Sequence, residues 1–266
     1  MNTVLVTGAA GFIGSALAQK LISKGNKVIT IDNLSTGYKS ALPKDVEFYE
    51  GDCQDAELIA SLEKYSFSTI YHIAGQSSGE ISFDDPVYDL QTNAQSTLLL
   101  LKLAMKTGCK QFIYASTMSV YGDKPDVPVT EDLDSRPKSF YGVGKLASEH
   151  YMRIYEQYGI NSTALRLFNV YGPGQNMLNL RQGMVSIFLA QAIKDHHVHV
   201  KGSAKRYRDF IYIDDVVDAL IKVRDEQPPK YTVFNIATGI RTTVGELIEL
   251  IRSFLGYEVT VHFEGS

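Results

Sequence analysis

Gly8, Gly11 and Gly14 stand three residues apart, directly after the apolar run Thr3-Val4-Leu5-Val6-Thr7 and directly before an amphipathic stretch from Ser15 to Lys24. The pattern predicts a strand, a tight turn and the N-terminus of a helix. Glycine is needed where the backbone takes positive φ or comes within contact distance of a ligand. A helix N-terminus aimed at such a turn offers free N–H groups and the positive end of a dipole, which suits a pyrophosphate. Gly14 lets the helix pack close to the strand. The spacing G-x-x-G-x-x-G differs from the commoner G-x-G-x-x-G, so an ordinary glycine turn stays open on these residues alone. A second apolar run, Lys27-Val28-Ile29-Thr30-Ile31, ends in Asp32, within the roughly 20-residue reach of a ribose-binding acid. A carboxylate there accepts both ribose hydroxyls and repels a 2′-phosphate. The following Asn33-Leu34-Ser35-Thr36-Gly37 contains no arginine, which points to NAD rather than NADP.

The second informative stretch is Tyr141-Gly142-Val143-Gly144-Lys145. Tyr and Lys at i and i+4 share one helix face. A free tyrosine has a pKa of about 10, too high for a base at neutral pH. An adjacent ammonium favours the phenolate. Bringing the phenol to about 7 takes roughly 4 kcal/mol, which Lys145 and the positive charge of a nicotinamide are expected to supply. Taken alone, the pair also fits an ordinary surface helix.

With both stretches in view, the chain resembles the extended short-chain dehydrogenases/reductases that act on nucleotide sugars, in their epimerase/dehydratase branch. The similarity continues through His72-Ile73-Ala74-Gly75, Ser116-Thr117 before Val120-Tyr121-Gly122, Arg166-Leu167-Phe168-Asn169-Val170-Tyr171-Gly172-Pro173 and Arg208-Asp209-Phe210-Ile211-Tyr212, and so covers essentially the whole chain. It implies that NAD is held by Gly8, Gly11, Phe12, Ile13, Gly14, Asp32, Asn33, Ser35, Thr36, Gly37, Asp52, Cys53, Ile73, Ala74, Gly75, Gln76, Asn93, Tyr141, Lys145 and Phe168. It implies Thr117, Tyr141 and Lys145 as the catalytic set, with Ser116 the alternative to Thr117. Ser77, Thr117, Asn169 and Arg208 are expected to hold the nucleoside-diphosphate sugar, Arg208 at the diphosphate. A salt bridge of Arg208 with Asp209 or Asp214 is the competing reading. Asp52 is expected near the adenine, or else as a helix cap.

Alternating strands and helices imply a Rossmann-type, doubly wound parallel sheet with a smaller C-terminal substrate lobe. The NAD-binding part is expected over 1–168, rejoined by 210–237, and the substrate lobe over 169–209 and 238–266. Family members continue past a stretch like Glu258-Val259-Thr260-Val261, so a lobe ending at Ser266 is expected to be shortened. Helices are expected over Pro86–Thr107 and Ser139–Tyr158, and the resemblance implies that they pair with a second copy in a four-helix dimer. The stretch Asp123–Lys138 reads as a surface loop. His72 reads as a packed strand histidine. His196, His197 and His199 lack neighbouring cysteines and read as a solvated turn rather than a metal site.

A net charge of −4 gives no reason to expect nucleic acid or an anionic membrane surface. No apolar stretch approaches the ~20 residues that span a bilayer. Two cysteines without a motif and no charged-then-apolar leader fit a cytoplasmic protein.

The reaction branch turns on the two residues directly after Thr117. In the family's dehydratases and decarboxylases carboxylates occupy this position, whereas this chain has Met118 and Ser119. Neither side chain is a carboxylate acid or base. The resemblance then implies oxidation at C4 of a nucleoside-diphosphate hexose, UDP favoured, and re-reduction from the other face. A 4,6-dehydratase with Asp123 or Glu80 as substitute acid, a related keto-sugar reductase, an epimerase at another carbon, and a non-catalytic NAD-binding scaffold remain as alternatives.

Overall fold

The computed structural model of the protein describes residues 2–123 and 128–265. The chain begins with β1 (Thr3–Thr7), α1 (Phe12–Ser23), β2 (Lys27–Asp32), β3 (Val46–Glu50), α2 (Ala56–Ser61) and β4 (Thr69–His72). It continues through α3 (Pro86–Leu90), α4 (Ser96–Thr107), β5 (Gln111–Thr117), α5 (Phe140–Tyr155), β6 (Asn161–Leu167) and β7 (Asn169–Tyr171). The remainder is α6 (Met184–Asp195), β8 (His197–Lys201), β9 (Tyr207–Arg208), β10 (Phe210–Tyr212), α7 (Ile213–Glu226), β11 (Thr232–Ile236), β12 (Thr242–Thr243), α8 (Val244–Leu255) and β13 (Thr260–Glu264).

Seven strands form one parallel sheet in the order β11-β6-β5-β4-β1-β2-β3, the doubly wound arrangement expected from the sequence. Its central strands are short apolar runs because both faces are covered. Along β1, Val4 and Val6 point to one face and Leu5 to the other, as the period of two requires. The first face packs against α1 and α7 through Leu17, Leu21, Val216 and Leu220. The second packs against α2, α4 and α5 through Ile59, Leu100, Leu101 and Met152. A third apolar cluster, with Phe188, Val198 and Ile248 and with Val261 packed against it, joins α6, β8, α8 and β13. Helix α8 turns Val244, Leu247, Ile248 and Ile251 inward, the spacing of a one-faced helix. A capping box between Thr243 and Glu246 starts it, the kind of cap whose loss costs about 1 kcal/mol.

Three local expectations are corrected. The helix expected over Pro86–Thr107 is interrupted by a π-type turn at Gln91–Gln95 between α3 and α4. The Ser139–Tyr158 helix ends as a 3-10 turn after Tyr155. His197 and His199 lie in β8, not in a solvated turn, because β8 pairs with β13 from 63 residues further along, His197 opposite Thr260; His199 meets Glu264 at 2.9 Å. Among the described residues no group of three or more His, Cys, Asp or Glu is placed to hold a metal ion. Within the loop expected over Asp123–Lys138, residues 124–127 lie outside the described residues. No described helix is long and apolar enough to cross a membrane.

Candidate active site

The strand order reverses between β1 and β4, and ligands of such sheets bind beyond the C-terminal strand ends at that reversal. Gly8 ends β1 there with φ +69°, and a Cβ on it would lie 2.8 Å from the Ala74 nitrogen. A Cβ on Gly14 would lie 2.1 Å from the Gly8 carbonyl oxygen. Both positions therefore require glycine, and together they bring the α1 N-terminus down onto the turn. The first helical bond of α1 runs from Ser15 N to Gly11 O at 3.0 Å. The N–H groups of Phe12, Ile13 and Gly14 precede it and are free for an anion.

A cavity of about 330 Å³ opens over this turn. The expected cofactor residues of the turn, of Asp32–Gly37, of Asp52–Cys53 and of Ile73–Gln76 all line it, as does Ser77. At its floor Asp32 accepts from Ala10 N at 2.9 Å and from Leu34 N at 2.8 Å. One backbone donor on each oxygen leaves further lone pairs for ribose hydroxyls. Asp52 accepts from Asn33 Nδ2 at 2.8 Å, and the helix cap is Asp55. The glycine cradle, the free helical N–H groups and the Asp32 carboxylate fit a dinucleotide. Sequence reasoning missed the far wall, formed by Gln175, Asn176, Asn179 and Gln182. This segment crosses the cavity and is tied at both sides. Tyr38 OH donates to Asn176 Oδ1 at 3.0 Å, and Gln182 Nε2 donates to Ser77 Oγ at 2.5 Å.

Asn93, Phe168, Thr117, Tyr141, Lys145, Asn169 and Arg208 do not line this cavity. Several of them converge beside its Gly75 end. A Cβ on Gly75 would lie 2.4 Å from Asn93 Oδ1 and 3.3 Å from Lys145 Nζ. Lys145 is buried, donates to Ala115 O at 3.0 Å and sits 5.9 Å from the Tyr141 ring centre. Burial pushes its ammonium down to about 8, against the pull of Asp89 and Glu149. Burial also pushes the Tyr141 phenol up to about 12; the Thr117 hydroxyl opposes this and the Asp89 charge adds to it. Lys145 is not among the groups that set this shift; burial dominates it.

Ser116 Oγ is committed to Glu149 Oε1 at 2.5 Å. Thr117 Oγ1 instead faces Tyr141, and it accepts from Ser119 N at 3.2 Å. Glu149 in turn forms a buried pair with Arg166 at 2.7 Å. His72 is held between Thr7 Oγ1 at 2.9 Å and Ser96 Oγ at 3.1 Å, a packed strand histidine. Beyond Thr117, Met118 Sδ accepts from Asn169 Nδ2 at 3.7 Å. Glu80 is exposed and faces Lys201 at 3.8 Å, and Asp123 is exposed and bonded to Lys138. Neither is held at the Thr117–Tyr141 cluster.

Asn169 also donates to Asp209 O at 2.8 Å, which fixes β7 beside β10. Arg208 has no carboxylate partner among the described residues: it donates to Tyr207 O at 2.8 Å. Asp209 accepts from Thr238 and Gly239 instead. Burial and the neighbouring Arg206 charge hold the Arg208 pKa below its usual value.

Sheet order, glycine turn and the acid after β2 together define a Rossmann-type dinucleotide-binding fold. More narrowly, the chain belongs to the NAD dependent epimerase/dehydratase family, whose sequence profile matches residues 4–237. It is 35% identical over 259 residues to a UDP-glucose 4-epimerase of Mycolicibacterium smegmatis, covering 95% of this chain and 82% of that one. The Thermotoga maritima UDP-glucose 4-epimerase solved with UDP-glucose superposes with a TM-score of 0.94 at 37% identity, over 99% of this chain and 85% of that one. The Thermus thermophilus UDP-glucose 4-epimerase solved with NAD gives 0.92 at 32% identity, over 99% and 86%.

Proposed function

We propose that this chain is an NAD-dependent nucleotide-sugar 4-epimerase acting on a UDP-hexose. The observation that carries the reading is the Thr117–Tyr141–Lys145 cluster at the Gly75 end of the cofactor cavity, with Met118 and Ser119 where an eliminating enzyme needs carboxylates. The relatives named for UDP-glucose support the choice of nucleotide and of C4. A bound nicotinamide supplies reversible hydride acceptance at that carbon. Tyr141 takes the proton of the C4 hydroxyl and returns it after the keto sugar has turned over. Thr117 hydrogen-bonds the same oxygen, and its hydroxyl both donates and accepts. Lys145 supplies positive charge beside the phenol and holds the nicotinamide ribose. Arg208, without a carboxylate partner among the described residues, holds the diphosphate, and Asn169 and Ser77 contact the nucleotide sugar.

The third apolar cluster supports a substrate lobe over 169–209 and 238–266, built onto an NAD-binding part over 1–168 and 210–237. A homodimer through α3–α4 and α5 is part of the same reading. Val87, Leu90 and Val143 are more than half exposed there, and Phe83 and Phe140 meet edge to face with centres 5.3 Å apart. Two free, buried thiols accord with a cytoplasmic location. The test is NMR of a UDP-hexose incubated with the protein. The anomeric signal of the C4 epimer is the expected product. A C6 methyl doublet would mean dehydration and would overturn the reasoning from Met118 and Ser119.

A further inference from the structure

Asp89 is 1% exposed, yet it is an acid with one oxygen unpartnered. It stands on α3, just before the π-type turn, a deviation that recurs at functional sites. Its Oδ1 accepts from Gln76 Nε2 at 2.8 Å and from Asn93 Nδ2 at 3.2 Å. Gln76 Nε2 also donates to Ser78 O at 2.7 Å, and Asn93 Nδ2 donates to Gln76 O at 3.1 Å. One carboxylate oxygen thus braces the whole loop from Gly75 to Ser78, the wall of the cofactor cavity nearest Lys145. The other oxygen faces α5: a Cβ on Gly144, between Tyr141 and Lys145, would lie 3.4 Å from Asp89 Oδ2 and 3.2 Å from Asn93 Cβ.

A buried acceptor without a partner costs about 1–3 kcal/mol, and a buried charge costs more. A bracket of neutral amides would hold the loop without that cost. What the carboxylate adds is a charge: burial pushes its pKa up, while the Gln76 and Asn93 donors and the Lys145 ammonium pull it down. The groups facing Lys145 are Asp89 from α3, Tyr141 and Glu149 from α5, Tyr114 from β5 and His72 from β4. Of the acids, Glu149 is already neutralised by Arg166. Burial holds His72 well below its usual value, so it brings no opposing cation.

We propose that Asp89 is a positioning residue of the reaction, bracing Gln76 and Asn93 under the cofactor-side loop and supplying the buried negative charge that faces Lys145. The inference rests on the roles given to Tyr141 and Lys145 above. It assigns Asp89 no contact with the sugar.

Asp89→Asn keeps an acceptor for Gln76 and Asn93 and removes the charge. The purified variant is expected to retain NAD and its melting temperature. Without the anion both Tyr141 and Lys145 lose their protons more readily, so both limbs of the pH profile of kcat move to lower pH, by about one unit. A purely structural role would lower the rate at every pH and leave the limbs in place; that result would overturn the proposal. A second measurement uses the wild-type holoenzyme: the Asp89 carboxyl carbon, assigned by NMR, is expected to be ionised at neutral pH. Finding it protonated there would also overturn the proposal, even if Asp89→Asn does not fold. A wild-type protein that turns over no UDP-hexose would count against the proposed function, while the NMR result would still decide the charge state of Asp89.

Discussion

Lys145→Met tests the electrostatic demand that the site places on Tyr141. Burial holds the phenol at about 12 in the chain alone. A base works best with a pKa near the operating pH, about five pH units lower, which corresponds to about 7 kcal/mol. One adjacent cation supplies about one to three of those units, so the lysine and the cofactor charge must act together. In the variant the phenol should ionise one to three units higher than in the wild-type holoenzyme. The difference in near-ultraviolet absorbance against Tyr141→Phe, recorded across a pH titration, isolates this one phenol. The sign follows from the charge: losing a cation disfavours the phenolate, so the acid limb of kcat moves up. At neutral pH the rate falls by about tenfold to a thousandfold, and raising the pH recovers much of it. NAD content, measured by mass spectrometry of the denatured protein, separates this effect from cofactor loss. A variant that keeps its NAD and an unmoved acid limb would refute the electrostatic role of Lys145.

Tyr141→Phe removes only the ionisable oxygen and should abolish turnover while leaving NAD bound; turnover at the wild-type rate would refute its role as base. Asp32→Ser gives up the carboxylate proposed for the ribose hydroxyls, and hydrogen bonds to a charged group are worth about 1.5–3 kcal/mol. Its affinity for NAD should fall by about tenfold to a hundredfold, and its preference over NADP should shrink, as read by calorimetry; unchanged discrimination would refute the ribose role. Glu149→Leu strands the buried Arg166 guanidinium and should cost about 3–5 kcal/mol in urea unfolding, whereas the double variant Glu149→Leu, Arg166→Met should recover most of it. A double variant as unstable as the single one would show that the pair itself is needed. Replacing Val87 and Val143 together by Glu should leave a 29.5 kDa monomer in light scattering; an unchanged assembly would refute the proposed interface.

The parts legible in the sequence are those set by local backbone chemistry. Gly8 and Gly14 are demanded by contacts within a few residues or at the adjoining strand end, and Asp32 follows from where β2 stops. Tyr141 and Lys145 share a helix face by spacing alone. The missing parts depend on distant segments. His197 and His199 join a strand only because β13 arrives to pair with them. The wall at Gln175–Gln182 has the composition of an ordinary loop, and its place over the cavity comes from bonds to Tyr38 and Ser77. Asp89 and Asn93 are four apart on one helix face, a signal that was available but carries no chemistry until Gly144 brings α5 against it. The height of the Tyr141 pKa is a property of its burial, which spacing does not record.

The sheet also sets an order on synthesis. Strand β6 takes its outer partner from β11, with Ala164 opposite Val233 and Leu165 opposite Phe234. A nascent chain or a fragment that stops before residue 232 carries six buried-type residues of β6, Ser162–Leu167, on an open edge. Such an edge is a template for pairing with other chains, and parallel pairing at this sequence separation is slow to form. The cofactor turn after β1 is made well before β11, the strand that covers the outer edge of β6 in the sheet supporting it.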